Sequence, residues 1–355
     1  MGICVSKPGM GPAQFEQTPA HAAPSAAATG PAAGPSGPPA RLTEKLQHMQ
    51  KLGRSGHRQL DKYAAAAGKM ARKNLQPDKK ITKLDIDNLP ALVQAENARH
   101  PALKLRQYDS PGDFLRELAA MPETSGRAIV RLADSEGAPV YHHVTVDVQK
   151  RAGQPPTLVV LEPAMLNEKI LTPHLEFYAE MRRQGVDTSR VALVEVAAQA
   201  SPQDCIMYCL NFALKAMKNS TAFDTMHRDL AHQKGPGHEL GLEEHVANCY
   251  GVLGAWGAAS VPGFIGNVAF AAGTLVLPPD FYKHASSSTL AKDVDERTAA
   301  GQASSSHQHA AQSLEQRVDD FKVTRLNDRG EPRTYSASIE GFRLQEIARA
   351  KRAGR

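Results

Sequence analysis

Apolar and polar positions change rhythm several times along this chain. From Ile206 to Met217 the residues are almost all apolar, and the run is long enough to predict a buried helix. His142 to Gln149 is short and rich in Val and Thr, which predicts a strand. Thr157 to Leu161 is a second short apolar run of the same kind. Lys150 to Pro156 lies between them and carries Gly153 and two prolines, the composition of a turn. The two runs therefore predict a hairpin that brings the start of one strand near the end of the next. Thr43 to Met70 reads as helical with mixed amphipathicity, and helices are expected within 81–120 and 335–352.

Other stretches predict no packed element. Residues 8–40 are mostly Pro, Ala, Gly and Ser, which cannot bury enough apolar surface to fold and read as a disordered tether. Residues 285–312 are rich in Ser, Ala, His and Gln and read as a polar loop or weak helix. Gly251 to Pro279 carries no charged residue and is long enough to span a bilayer. Pro262 and frequent Gly interrupt it, so a buried or surface-packed insert is the better reading. No internal repeat is visible. The fold class is α+β: a small mixed sheet supplies His142 and Glu162, and a core helix starting at Cys205 packs across it.

Three short motifs carry candidate chemistry. They are Tyr141-His142-His143-Val144-Thr145-Val146-Asp147-Val148, Leu161-Glu162-Pro163-Ala164 and Ser201-Pro202-Gln203-Asp204-Cys205. Together they offer a base, an orienting carboxylate and a thiol, the groups that nucleophilic catalysis needs. A thiol attacks as thiolate, and Cys205 at a helix N-terminus is expected to have a lowered pKa. Neighbouring strand residues point to opposite faces, so only one of His142 and His143 is expected to meet Cys205. Cys209, one turn on, reads as core, and Cys249 as structural. Taken alone, such a constellation is more often packing than catalysis.

Composition narrows the field. The chain has 355 residues and a net charge of +5, enough for one large domain with tails, or two domains. Basic residues cluster between Arg41 and Lys80 and again at Arg343, Arg349, Lys351, Arg352 and Arg355. Aromatic residues are few and no DNA- or RNA-binding motif accompanies the clusters, so no nucleic acid is expected as a partner. Four cysteines without regular spacing give neither a disulfide framework nor a metal signature, and a working thiol fits a reducing compartment. His307 and His309 have no ligand set around them, and no metal is expected. Met1-Gly2-Ile3-Cys4-Val5-Ser6 fits N-myristoylation at Gly2, with Cys4 placed for palmitoylation. Two acyl chains anchor stably where one does so marginally. The start is not that of a cleavable secretory signal peptide.

The motifs, in this order and spacing, resemble the YopJ family of bacterial type III effectors. The likeness extends to Asp85-Ile86-Asp87-Asn88-Leu89-Pro90, to Leu277-Pro278-Pro279-Asp280-Phe281-Tyr282-Lys283-His284 and to Tyr335-Ser336-Ala337-Ser338-Ile339-Glu340. It spans about residues 81–350, and MGICVSKP resembles the start of plant-pathogen members. It implies a core related to ubiquitin-like-protein proteases at about 125–225 and regulatory parts at 81–120 and 320–350. A lipidated tail at 1–40 and a basic helical arm at 41–80 would precede them. It also implies an acetyltransferase with a His142, Glu162, Cys205 triad, since relatives place the catalytic His five residues before the position of Asp147. Acetyl-CoA is the implied donor and inositol hexakisphosphate the implied activator. Arg106, Arg325, Arg329 and Arg343 are candidate polyphosphate ligands, Gln203 a candidate oxyanion donor and Lys283 a candidate autoacetylation site. Delivery by type III secretion to the cytosolic face of the host plasma membrane, action on host plant proteins and suppression of immune signalling follow from the same resemblance. Two departures stand out: Ile206 replaces the Gly that often follows the nucleophile, and 251–277 is unusually rich in Gly and Ala. A cysteine protease or deubiquitinase would use the same triad. A membrane-tethered binding module without catalysis is the third reading.

Overall fold

The computed structural model describes residues 37–121, 124–132, 142–235, 240–241, 267–299, 312–326 and 330–354. Its centre is a seven-stranded mixed sheet. The spatial order is β1 (Leu105–Tyr108), β2 (Ser125–Arg131), β3 (His143–Gln149), β4 (Thr157–Ala164), β5 (Val191–Gln199), β7 (Ala269–Ala272) and β6 (Leu240–Gly241). β2, β3 and β4 pair antiparallel, and β5 runs parallel to both β4 and β7. The expected hairpin is present, with Gln149 opposite Thr157 and Thr145 opposite Leu161.

β4 and β5 carry unbroken apolar runs, Leu158 to Leu161 and Val191 to Val194, because both faces of the sheet are covered there. Alternation sorts their side chains. Val159, Leu161, Ala192 and Val194 join one core with α6 (Cys205–Lys218), while Leu158, Val160, Val191 and Leu193 join the other. The second core packs against α4 (Pro111–Ala120) and α5 (Glu168–Arg183) through Phe114, Phe177 and Met181. α6 is buried from Cys205 to Ala216 and ends with Lys215 and Lys218 in its last turn, where cations suit the negative end of the helix dipole.

A helical layer lies against the α6 side. It comprises α1 (Ala40–Lys51), α2 (Arg58–Arg72), α3 (Lys79–Arg99) and the last helix, α10 (Ser338–Ala353). The side chain of Asp78 caps α3 by accepting from the Ile81 amide. Ser288–Ala299 (α8) and Leu314–Asp320 (α9) precede a hairpin of β8 (Lys322–Leu326) and β9 (Pro332–Ser336), which leads into α10. α7 (Ser220–Ala231) follows α6.

Several expectations change. The helix over Thr43–Met70 is two helices, separated where Gly53 and Gly56 adopt φ of 62° and 85°, a conformation that favours glycine. These helices are no free arm: Leu42, Leu46, Met49, Leu60 and Tyr63 are buried in the main core. The segment 81–120 holds a parallel edge strand as well as helices. Residues 288–299 form a full helix, and 300–311 lie outside the described residues. So do the tail 1–36 and most of the uncharged stretch, 251–266. Among the described residues no helix is long and apolar enough to cross a membrane.

Candidate active site

The hairpin delivers the base and carboxylate together. His142 immediately precedes β3, and Glu162 lies near the end of the paired strand. His142 Nε2 donates to Glu162 Oε2 at 2.7 Å. The carboxylate, fully buried, takes two further donors: the Ala164 amide to Oε1 at 2.7 Å and His174 Nε2 to Oε2 at 2.7 Å. Burial alone would raise the Glu162 pKa, but His142 and the hydrogen bonds from both imidazoles outweigh it and hold the carboxyl at about 2. Glu162 is therefore a fixed negative charge, suited to orienting an imidazole.

Cys205 opens α6 as expected, with only 1 % of its surface exposed. Its electrostatics differ from the expectation. Burial pushes the thiol up to about 12, and a hydrogen bond from the His143 backbone only partly opposes this. Desolvation of the thiolate outweighs the helix dipole in this state. The two histidines divide the contacts between them. His142 holds Glu162, while His143 Nδ1 lies 3.9 Å from Cys205 Sγ. Cys209 is buried core, and its thiol donates to the His143 carbonyl at 3.2 Å.

The residues before Cys205 are tied to the helical layer. Thr82 Oγ1 donates to the Gln203 side-chain carbonyl at 2.6 Å, which leaves the amide donors of Gln203 unspent. Arg343 of α10 forks between Asp85 of α3 and Asp204, with Nη2 at 2.8 Å from Asp85 Oδ2 and 2.6 Å from Asp204 Oδ1. Tyr63 of α2 donates to the same Asp85.

This geometry corrects the polyphosphate candidates. Arg343 is fully buried and committed to two carboxylates, so it cannot face a ligand from solution. Arg325 is buried and forked onto Glu340 at 2.6 and 3.0 Å. Arg106 sits on the edge strand beside Glu117 at 3.6 Å, and Arg329 lies outside the described residues. The accessible cations gather elsewhere. A cleft of about 700 Å³ between α1, α3 and α10 is lined by Lys45, His48, Arg99, Arg349 and Arg352 with Glu44 at its edge, and Arg99 and Arg349 both pair with Glu96 while staying partly exposed. Lys283 is half-buried near Lys45, Lys215, Lys218 and Arg317; burial and then these like charges hold its amine down at about 8.

His142, Glu162 and His174 are a metal-ligand set by type. A tetrahedral ion at ordinary bond lengths needs donor atoms about 3.3 Å apart, whereas both imidazoles lie 2.7 Å from one carboxylate oxygen. These separations are hydrogen bonds. His174 was not singled out in the sequence. The one available cue was a histidine within the apolar face of the helix that follows the Glu162 strand. Gly2, Cys4, Cys249, His307 and His309 lie outside the described residues.

A sequence model of the YopJ serine/threonine acetyltransferases matches residues 59–349, most of the chain and the whole of the seven-stranded sheet. The chain belongs to the YopJ acetyltransferase family. The enzyme is similar to the serine/threonine-protein acetyltransferase HopZ1a of Pseudomonas syringae pv. syringae, at 34% identity over 320 residues, 87% of this chain and 85% of the relative. It is 37% identical over 199 residues to the serine/threonine-protein acetyltransferase NGR_a02610 of Sinorhizobium fredii, covering 56% of this chain and 74% of that protein. The crystal structure of HopZ1a in complex with IP6 and CoA superposes with a TM-score of 0.77 at 32% identity, over 89% of this acetyltransferase and 99% of HopZ1a. AvrA, at 18% identity and a TM-score of 0.58, shares the fold.

Proposed function

We propose that this acetyltransferase works by a two-step exchange through Cys205. The observation that carries the reading is the 2.7 Å bond that fixes His142 on Glu162, one residue before the His143 whose Nδ1 lies 3.9 Å from Cys205 Sγ. In the first step His142 takes the thiol proton and Cys205 Sγ attacks the acetyl carbonyl of acetyl-CoA. The bond to the CoA sulfur breaks, and His142 returns the proton to that leaving thiolate. In the second step a Ser or Thr hydroxyl or a Lys amine of a host protein attacks the acetyl-Cys205 thioester. His142 accepts its proton, and the Cys205 thiolate departs. Backbone amides at the start of α6 and the side-chain amide of Gln203 supply the donors for the oxyanion. His142 rather than His143 is the base because, of these two, His142 is the one bonded to Glu162.

Inositol hexakisphosphate is the proposed activator, in the basic cleft of Lys45, His48, Arg99, Arg349 and Arg352. Support comes from the HopZ1a complex and from Lys45, whose amine is held down by burial and then by Arg317 and Arg349. A polyanion there would relieve the repulsion and draw α1, α3 and α10 together. A partly neutral Lys283 amine is a competent acetyl acceptor, which suits autoacetylation.

For location we propose delivery by type III secretion and tethering to the host plasma membrane through acyl groups on Gly2 and Cys4. The charge of α2 supports this. Arg58, Lys62, Lys69, Arg72 and the adjoining Lys73 share its exposed face, and none forms an ion pair among the described residues. Such a face suits anionic lipid. Suppression of plant immune signalling is the proposed outcome, with 1–40 as tail and about 125–225 as catalytic core. Incubation with radiolabelled acetyl-CoA, with and without inositol hexakisphosphate, tests the reaction. Label should require the polyphosphate and vanish in Cys205→Ala and His142→Ala. Label absent in every condition, with cleavage of ubiquitin-like substrates, would replace the reading with a protease.

A further inference from the structure

We infer that His174 is a positioning residue for the acyl transfer, acting through Glu162. The inference rests on the triad reading above. His174 lies on α5, against the sheet face away from the helical layer, and none of its surface is exposed. Its Nε2 is 2.7 Å from Glu162 Oε2, the same oxygen that receives His142 Nε2 at 2.7 Å. A carboxylate can only accept, so both imidazoles donate there.

The proton positions follow from the surroundings. Burial disfavours the charged form of His174, more than its bond to Glu162 favours it. A neutral imidazole has one N–H, and Glu162 claims it at Nε2. His174 Nδ1 is then an acceptor, and the group facing it is the Tyr178 hydroxyl at 3.4 Å, one turn along α5. The Tyr178 ring stacks on the imidazole, with centroids 5.9 Å apart and planes 27° apart. His174 is thus held by its own helix and in turn holds the carboxylate.

The consequence reaches the reacting atoms through His142. Without His174, Oε2 would keep one side donor and Oε1 one backbone donor, and the carboxyl could turn about its terminal torsion. With it, the carboxylate has one orientation, and so has the His142 imidazole. Nε2–H of His142 is committed to Glu162, leaving its Nδ1 lone pair to take a proton. Partners that orient the imidazoles and carboxylates of metal sites change activity about 10–100-fold when removed, and a loss on that scale is expected of His174 by the same geometric role.

The test is steady-state acetyl transfer with inositol hexakisphosphate present, comparing His174→Phe, His174→Asn and His174→Gln. Thermal unfolding of each variant is measured alongside. Gln reaches far enough to place an N–H where Nε2 lies; Asn is shorter, and Phe has no donor. The inference expects kcat of the Phe and Asn variants to fall about tenfold or more, with KM for acetyl-CoA nearly unchanged. His174→Gln should recover most of the rate. Full kcat in His174→Phe would overturn it. So would equal loss of kcat and melting temperature across all three variants, the mark of a purely structural histidine. If Phe fails to fold, the contrast of Gln with Asn still decides. Retained activity in His142→Ala would instead show that the triad reading fails.

Discussion

Arg343 Nη2 lies 2.6 Å from Asp204 Oδ1, and Asp204 is the residue before the nucleophile. The last helix of the chain therefore grips the first turn of the catalytic helix. The same guanidinium holds Asp85 of α3, and Tyr63 of α2 donates to the Asp85 oxygen that Arg343 Nε also bonds. Three helices of the outer layer meet at one buried ion cluster one residue from Cys205. This gives a polyphosphate bound among α1, α3 and α10 a physical route to the thiol.

Replacing one partner of that cluster should be costly. Arg343→Leu leaves Asp85 and Asp204 buried without their cation, a defect worth about 3–5 kcal/mol. Arg343→Lys keeps the charge but loses the fork and should recover only part. Denaturant unfolding measures the loss. Near-native stability in Arg343→Leu would mean that the cluster is not what joins the layers.

The thiol makes a second prediction. With Cys205 pushed up to about 12 by burial, alkylation by iodoacetamide at neutral pH should be slow without activator. Inositol hexakisphosphate should accelerate it if polyanion binding opens or repolarises the site. Labelling at the same fast rate with and without the polyphosphate would show that the regulatory helices do not govern the nucleophile.

Glu195 provides a test by pH. It sits beside Glu162 across the β4–β5 pair, and burial pushes its carboxyl up to about 7, though the Leu166 amide donates to it at 2.7 Å. A carboxyl with a raised folded pKa favours folding at low pH, and that contribution is lost as pH climbs from the unfolded value toward 7. Glu195→Gln should therefore be more stable than the parent at pH 8, by up to about 3 kcal/mol, with the gain shrinking as pH falls toward 4.5. Glu162 has the opposite sign. Its folded value of about 2 means that its contribution is present above pH 4.5 and fades as the pH drops toward 2. Identical stability–pH curves for parent and Glu195→Gln would rule out a buried, raised carboxyl at this position.

The basic cleft predicts a selective loss. Lys45→Ala with Arg349→Ala should raise the concentration of inositol hexakisphosphate needed for activation at least tenfold. Thermal stability without ligand should fall, since Arg349 also pairs with the buried carboxylates of Glu96 and Glu346, so affinity is read on the folded variant. Isothermal titration of each variant provides the check. Unchanged affinity would place the polyphosphate elsewhere.

What the sequence disclosed follows from how local its signals are. The β3–β4 hairpin, the helix at Cys205 and the meeting of His142 with Glu162 were legible because strand period, turn composition and helix length act over short spans. The family likeness supplied the activity. The polyphosphate assignment failed at Arg343 and Arg325, because a basic residue looks the same in sequence whether it faces solvent or a buried carboxylate. Arg343 and Asp85 are 258 positions apart, and no local pattern encodes their pairing. The raised thiol was missed for a related reason: a helix N-terminus is visible in sequence, but the layer that buries it is not. His174 stayed hidden because its partner, Glu162, belongs to a different element.

The most direct test of the account is mass spectrometry of the Cys205 peptide after brief exposure to acetyl-CoA and inositol hexakisphosphate. The account predicts an acetyl group on Cys205 that hydroxylamine removes, formed in the parent and lost in His142→Ala. Transfer to an acceptor protein at full rate with no acetyl-Cys205, or with Cys205→Ala still active, would contradict it.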